Sequence, residues 1–221
     1  MPYGPVVKFF SEPLLSYFRL ELLKIAERER VIFIRLDFTP SPPGHFKLRS
    51  FFKKSFLHTY HAAYFQPRVE WFLSLAESET DLLSTMHEKT RYSIKLAIRK
   101  GVVSQIIETD FAKYFEDFYS LMIATASRNG FRLHEKTYYQ NIFQNLQLVP
   151  KTYLSIAKYQ DRILVVDLII VFGQTANYVF GCSSNHYRNL GAAASAQWAA
   201  ICPAKKIGCQ NYNFGGVAAG K

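Results

Sequence analysis

The sequence predicts an α/β fold, and three observations carry that expectation. From Val102 onward the hydrophobic patterning runs strand, helix, helix, three strands, helix, strand. The apolar runs at 31 to 38 and 163 to 172 are of strand length, and only Arg35 and Asp37 in the first and Asp167 in the second interrupt them with charge. The amphipathic segments between them stop at Gly101 and at Asn129-Gly130, as helix ends do.

The elements follow in order. Met1 to Val7 reads as a short edge segment, and Pro13 to Glu29 as a helix with Leu14, Leu15, Phe18, Leu22, Ile25 and Ala26 on one face. Val31 to Phe38 is a buried strand that ends in Asp37, before Thr-Pro-Ser-Pro-Pro-Gly stops it. The end of a strand is where open α/β sheets present functional groups, and equally a place where an Asp bonds a turn through Thr39 or Ser41. From Phe38 to Val69 there is no acid, and Lys47, Arg49, Lys53, Lys54 and Arg68 interleave with aromatics. Such a mixture suits single-stranded nucleic acid by charge and stacking, and also an aromatic core under a solvated lysine face. A strand at 69 to 75 leads through Glu77, Ser78 and Thr80 into a helix over Asp81 to Lys100, with Leu83, Met86, Thr90, Ile94 and Ala97 on one face.

Beside that face Lys89, Arg91, Lys95 and Arg99 form a cationic stripe. Like charges four apart on a helix repel by about 0.2 to 0.5 kcal/mol per pair, so an anionic partner accounts for them; the helix dipole also favours cations at the C-terminal end. After a strand at 102 to 107, Asp110 caps a helix that places Phe111, Tyr114, Phe115, Phe118, Leu121, Met122 and Thr125 inward. A further helix spans 136 to 146, preceded by His134 and carrying Tyr138 and Tyr139 in its first turn. Strands follow at 153 to 159, 163 to 172 and 176 to 180, then a helix over 191 to 207 kinked at Pro203, and a strand over 210 to 214 before Gly215-Gly216.

Between the strand ending at Phe180 and the last helix lies a polar loop, Gly181 to Asn189, whose end reads Arg188-Asn-Leu-Gly191-Ala-Ala. This R-x-x-G-x-A form leaves backbone N–H groups unobstructed at a helix start, where they attract phosphate or carboxylate; it also serves plain close packing of a helix. The spacing matches the pyrophosphate loop of GNAT acyltransferases, and the element order from Val102 on is theirs.

The chain has 221 residues, 49% of them hydrophobic, which suffices for one or two packed cores. Its net charge of +10 is shared, about +6 up to Ser104 and +4 after it, so no single tail carries it. A basic surface of that size suits nucleic acid, a phosphorylated substrate or an anionic membrane surface. No apolar run reaches membrane length and no secretory leader pattern opens the sequence, so no integral membrane segment is expected. Three cysteines without C-x-x-C spacing argue against a disulfide framework and a zinc site, and point to a reducing cytoplasm. No metal or cofactor is expected. His87, His134 and His186 stand singly, so there is no Ser-His-Asp or Cys-His set to form an acyl-enzyme.

Taken together, Gly-Pro-Val near the start, IRLD at 34 to 37, QPRVEWFLSL at 66 to 75, KTRYSIKLAIRKGV at 89 to 102, the stretch from Phe118 to Tyr139, YVFGCSS, AQWAAI and YNFGGV resemble the Fem family (FemA, FemB, FemX). These non-ribosomal peptidyltransferases add amino acids from aminoacyl-tRNA to the stem peptide of peptidoglycan precursors. The resemblance implies two GNAT-like domains, here residues 1 to 101 as an incomplete first and 102 to 221 as the second. The family's strands and helices before Gly-Pro-Val, and its segment after the Gly-Gly pair with its Phe-Lys motif, have no counterpart between Met1 and Lys221, so the chain reads as a fragment lacking both ends or as a divergent, shortened relative. The family's acidic residue at the end of the first-domain strand falls on Asp37, the candidate base, and its substrate-contacting Tyr on Tyr138. The Arg that meets precursor phosphates falls on His134, and a strand Tyr on Phe180, which lacks the hydroxyl. The Asp before the Gly-Gly pair is Asn213 here, and Ala-Pro-Tyr at the last helix is Ala-Ala-Ala at 192 to 194.

The implied partners are aminoacyl-tRNA and a UDP-linked or lipid-linked muropeptide precursor, with peripheral contact at the inner membrane face; the stripe would contact phosphates of the tRNA or precursor, and Arg188 joins Tyr138, His134 and Phe180 as a candidate substrate-binding residue. Two other readings remain open at this point: a CoA-dependent GNAT N-acyltransferase, on the R-x-x-G-x-A form, and a basic RNA-binding module without catalysis.

Overall fold

The computed structural model of the chain describes residues 10–36, 51, 67 and 69–217. The chain divides into two compact units, residues 1–69 with 216–221, and residues 70–215. The boundary expected near residue 101 falls inside the second unit, at the turn after a helix.

In the first unit, helix α1 spans Glu12–Arg28. The Ser11 hydroxyl accepts from the Leu14 amide, and Pro13 occupies the first turn, where its missing N–H costs nothing. Leu15 is buried with Phe10, Phe18, Leu36 and Phe51 around it, while Leu14 and Ile25 of the expected face are exposed. The strand expected over 31 to 38 is absent from residues 31–36, and Ile32 is 95% exposed. An apolar run does not supply a neighbour to pair with, and among the described residues no strand pairs with residues 31–36. Asp37 and the basic aromatic stretch at 38 to 50, 52 to 66 and 68 lie outside the described residues.

The second unit is a six-stranded sheet with helices on both faces. Its elements are β1 (Glu70–Ser74), α2 (Glu79–Thr85), α3 (Glu88–Arg99), β2 (Val103–Ile107), α4 (Phe115–Asn129), α5 (Lys136–Asn145), β3 (Thr152–Tyr159), β4 (Arg162–Phe172), β5 (Thr175–Ser183), α6 (Ala192–Lys206) and β6 (Asn211–Gly216). Short 3-10 turns at Phe111–Tyr114, Leu146–Leu148 and Arg188–Leu190 precede α4, follow α5 and precede α6. The strand order is β1-β6-β5-β4-β3-β2. β2, β3, β4 and β5 run antiparallel in sequence, whereas β5 and β6, joined through α6, are parallel.

The strands alternate between two cores. Leu154 and Ile156 of β3, and Val166 and Leu168 of β4, face α4 and α5, where Phe115, Phe118, Met122, Tyr139 and Phe143 close over them. On the opposite face Tyr153, Ile169, Val171 and Tyr212 meet Ala200, Ile201 and Ala204 of α6. Alanine on α6 lets that helix approach closely, and two buried strand hydroxyls tie it down: Ser155 donates to the Ala196 carbonyl and Tyr153 to the Ala200 carbonyl, each at 2.7 Å. Pro203 sits within α6.

Two local expectations are corrected. The single helix over 81 to 100 is two helices, because Met86 and His87 are extended, with ψ of 152° and 141°. Ser78 caps the first, accepting from the Asp81 amide, and His87 Nδ1 caps the second, accepting from the Lys89 amide. Asp110 does not cap with its side chain: its backbone is left-handed, with φ of 56°, and its carboxylate pairs instead with Lys113 at 2.7 Å.

Candidate functional site

The site is shaped by a bulge in β5. Leu168 of β4 is opposite Phe180, but Ile169 is opposite Tyr178, so Val179 has no counterpart. With strict alternation Tyr178 and Phe180 would share a face; the extra residue sends them to opposite faces. Phe180 packs against Tyr139 and Phe118 on the α4/α5 side, with ring centroids 5.6 and 6.3 Å away. Tyr178 joins the α6 side. β5 pairs with β6 only through Thr175, Ala176 and Asn177, and past that point it has β4 alone.

On the α4/α5 side the first turn of α5 gathers three of the expected residues. His134 lies against Tyr138, with centroids 4.3 Å apart. Tyr138 meets Tyr139 edge-on at 5.2 Å, and Tyr139 continues to Phe180. Tyr139 is buried, which raises its hydroxyl pKa. His134 and Tyr138 are exposed, so they form the accessible lip of a cluster anchored in the core.

On the α6 side lies a cleft of about 200 Å³, lined among others by Asp167, Tyr178, Gln197, Arg128, Ser183 and Ala193. Asp167 is 2% exposed. Gln197 donates to its carboxyl at 3.0 Å, the Tyr178 hydroxyl is hydrogen-bonded to it, and Tyr212 donates to the Gln197 amide oxygen at 3.0 Å. Burial pushes Asp167 up to about 8, because its neighbours are neutral dipoles that offset only part of the lost hydration. Gly181 makes room for the phenol: a Cβ there would stand 1.6 Å from the Tyr178 hydroxyl. The mouth of the cleft is held by α4, where Arg128 donates to the carbonyl and hydroxyl of Ser183 and to Asn185, and Thr125 exchanges hydrogen bonds with the Ser183 backbone.

The other expected residues are placed apart from both groups. Lys89, Lys95 and Arg99 are exposed along α3. Arg91 is turned back, its guanidinium donating to the Ser84 and Met86 carbonyls at the end of α2. That closes the C-terminus of one helix with a side chain of the next. Arg188 is exposed in the turn before α6. Asn213 is buried, donating to Glu70 and Asn177 at 3.3 Å while its oxygen accepts from the Gly215 amide at 2.8 Å. An Asp at that position would have no proton to give either acceptor. The reading of residues alone did not find the partners of Asp167; the charge interrupting an apolar strand was the available signal.

The helix-covered sheet, with parallel strands joined through a helix after a bulged strand, defines a GNAT-like α/β protein. The model of the FemAB family matches residues 52–164 and 149–220, and the chain belongs to that family. It is 22% identical over 262 residues to the lipid II:glycine glycyltransferase of Staphylococcus saprophyticus, a match covering 88% of this chain and 62% of that protein. It is 20% identical over 284 residues to the protein of the same name from Staphylococcus haemolyticus, covering 97% of this chain and 67% of the relative. The chain thus spans about two thirds of the length of these relatives. Among solved structures, the crystal structure of FemX superposes with a TM-score of 0.78 at 17% identity, over 100% of this chain and 72% of that one, and this likeness carries the fold. Among the described residues no helix is long and apolar enough to cross a membrane.

Proposed function

We propose that the protein is an acyltransferase of cell-wall synthesis, moving an amino acid from aminoacyl-tRNA to the stem peptide of a peptidoglycan precursor. The observation that carries this reading is the family match over residues 52–220, joined to the accessible lip of His134 and Tyr138 that Tyr139 links to Phe180. Relatives named for glycyl transfer to lipid II favour a lipid-linked acceptor, which fits action on the inner side of the membrane by peripheral contact.

Aminoacyl transfer from an ester to an amine requires alignment more than covalent help, since the ester is already activated. The attacking amine must lose a proton, a role proposed for Asp37 or for a carboxylate of the substrate. Lys89, Lys95, Arg99 and Arg188 would hold phosphates of the tRNA or precursor. A CoA donor has less support, because the small residue in R-x-x-G-x-A is required by the packing of α6 on α3.

Incubating the chain with charged tRNA and either lipid-linked or UDP-linked muropeptide, with acetyl-CoA in a parallel arm, tests the proposal. Amino-acid incorporation into the muropeptide is expected. Acetylation from CoA in its place would move the protein to another class.

A further inference from the structure

Resting on the reading above, we propose that the cleft beside Asp167 is a subsite for a primary ammonium group carried by a small amino-acid moiety, with Asp167, Tyr178 and Gln197 as its recognition residues. Asp167 is the only acid and Arg128 the only base among the residues lining the cleft. Arg128 donates to Ser183 and Asn185, which fixes its guanidinium at the mouth of the cleft, and among the described residues it forms no ion pair with Asp167. The described partners of Asp167 are an amide and a phenol, both neutral. A buried carboxyl at the wall of an open cleft, supplied with neutral donors alone, keeps its proton while the cleft is empty, and an entering ammonium can pair with its ionised form.

The walls add shape. Tyr178, kept in place by the absence of a side chain at Gly181, presents its ring and hydroxyl beside the carboxyl, and Gln197 is oriented by Tyr212. Ala193, in the first turn of α6, is a small and exposed residue of the lining. A cleft of about 200 Å³ admits a group of a few atoms, which suits the ammonium end of an aminoacyl ester or the terminus of an amine-bearing side chain. Two sources therefore share the chemistry: the α-amine of the donor and the acceptor amine of the stem peptide.

Without ligand Asp167 holds a proton at neutral pH, and an incoming ammonium favours the carboxylate, so binding releases that proton to solvent. The titratable and charged groups facing it are Tyr178 and Cys182 of β5, Tyr212 of β6 and Arg128 of α4. Burial raises the first three, so they stay uncharged between pH 6 and pH 7.

The test is titration of the chain, followed by NMR, with glycinamide as the donor-like probe and Nα-acetyl-lysinamide as the acceptor-like probe. N-acetylglycinamide, which has no ammonium, is the control. Saturable binding of one charged probe is expected, with affinity rising about tenfold from pH 6 to pH 7. Asp167→Asn should weaken it at least tenfold and lose the pH dependence, and Ala193→Leu, a surface change compatible with the helix, should block it. Glycinamide alone binding assigns the donor; the lysine probe alone assigns the acceptor. Absence of binding by both, equal binding of the acetylated control, or indifference to both variants overturns the proposal. In transfer assays Asp167→Asn should raise KM for the matching substrate only. Probe binding without any amino-acid transfer would sink the functional reading and leave the subsite, whereas transfer with unchanged KM and no probe binding would sink the subsite alone.

Discussion

The carbonyl oxygen of Ser93 in α3 lies 2.3 Å from where a Cβ on Gly191 would stand. Gly191 also has φ of 74°, a left-handed backbone that L side chains rarely adopt. The two helices thus meet backbone to side-chain-free backbone, and the glycine of R-x-x-G-x-A is accounted for by packing. Gly191→Ala combines the strained backbone with a contact that backbone atoms must move to relieve. Each source costs about 1 to 3 kcal/mol, so urea denaturation should reveal a loss of at least about 2 kcal/mol. A neutral substitution would remove the packing explanation and reopen the anion reading of the loop.

Much of the second unit was legible because hydrophobic period is a local signal. The strands at 153 to 159 and 163 to 172 and the start of the helix at 136 emerge within a residue of expectation. The break at Met86-His87 was not legible, since Leu83, Met86, Thr90, Ile94 and Ala97 keep helical spacing straight across it. What breaks the helix is side-chain capping by His87 and Arg91, which period does not encode. The site divides the same way. Tyr138 and His134 are neighbours in sequence and on one turn, whereas the face that Phe180 takes depends on a one-residue bulge. Asp167 stood out as a charge in an apolar strand, but Gln197 and Tyr212 come from elements that only the fold brings to it.

The buried carboxyl makes a prediction about pH. Asp167 titrates near 4 when unfolded and near 8 in the fold, so between these values the folded state binds the extra proton. Its contribution to stability is full below about pH 4, falls as pH rises, and is lost above about pH 8. Denaturant midpoints of the unmodified protein should therefore decline between pH 5 and pH 8 by more than those of Asp167→Asn. Parallel declines would mean that Asp167 is ionised in the fold.

Arg91 and its neighbours on α3 should separate by assay. Arg91→Ala removes a charged donor from the Ser84 and Met86 carbonyls and should cost about 1 to 3 kcal/mol of stability. Reversing Lys95 and Arg99, both exposed, should leave stability nearly unchanged while weakening tRNA binding at low salt. The slope of log affinity against log salt should become shallower by about two. An unchanged slope would return these side chains to a solvated face.

The lip formed by His134 and Tyr138 carries the sharpest prediction about the acceptor. The two rings lie 4.3 Å apart at the N-terminal end of α5, where the helix dipole already favours an anion, and His134 stands where the family resemblance expects an Arg. A guanidinium there would offer a permanent charge and a two-pronged donor in the space beside the Tyr138 ring, on which it can stack. Hydrogen bonds to charged groups are worth about 1.5 to 3 kcal/mol, so His134→Arg should tighten binding of a UDP-linked muropeptide roughly tenfold or more, as read by calorimetry. Tyr138→Phe keeps the ring contacts with His134 and Tyr139 and removes only the hydroxyl, so any loss, expected at about twofold to tenfold, reports a hydrogen bond to the ligand. Thermal stability should be unchanged in the Tyr138 variant, because that residue is 43% exposed. Should both variants bind the precursor as the parent does, the acceptor lies elsewhere, and the cluster of His134, Tyr138, Tyr139 and Phe180 serves only to anchor α5 on the sheet.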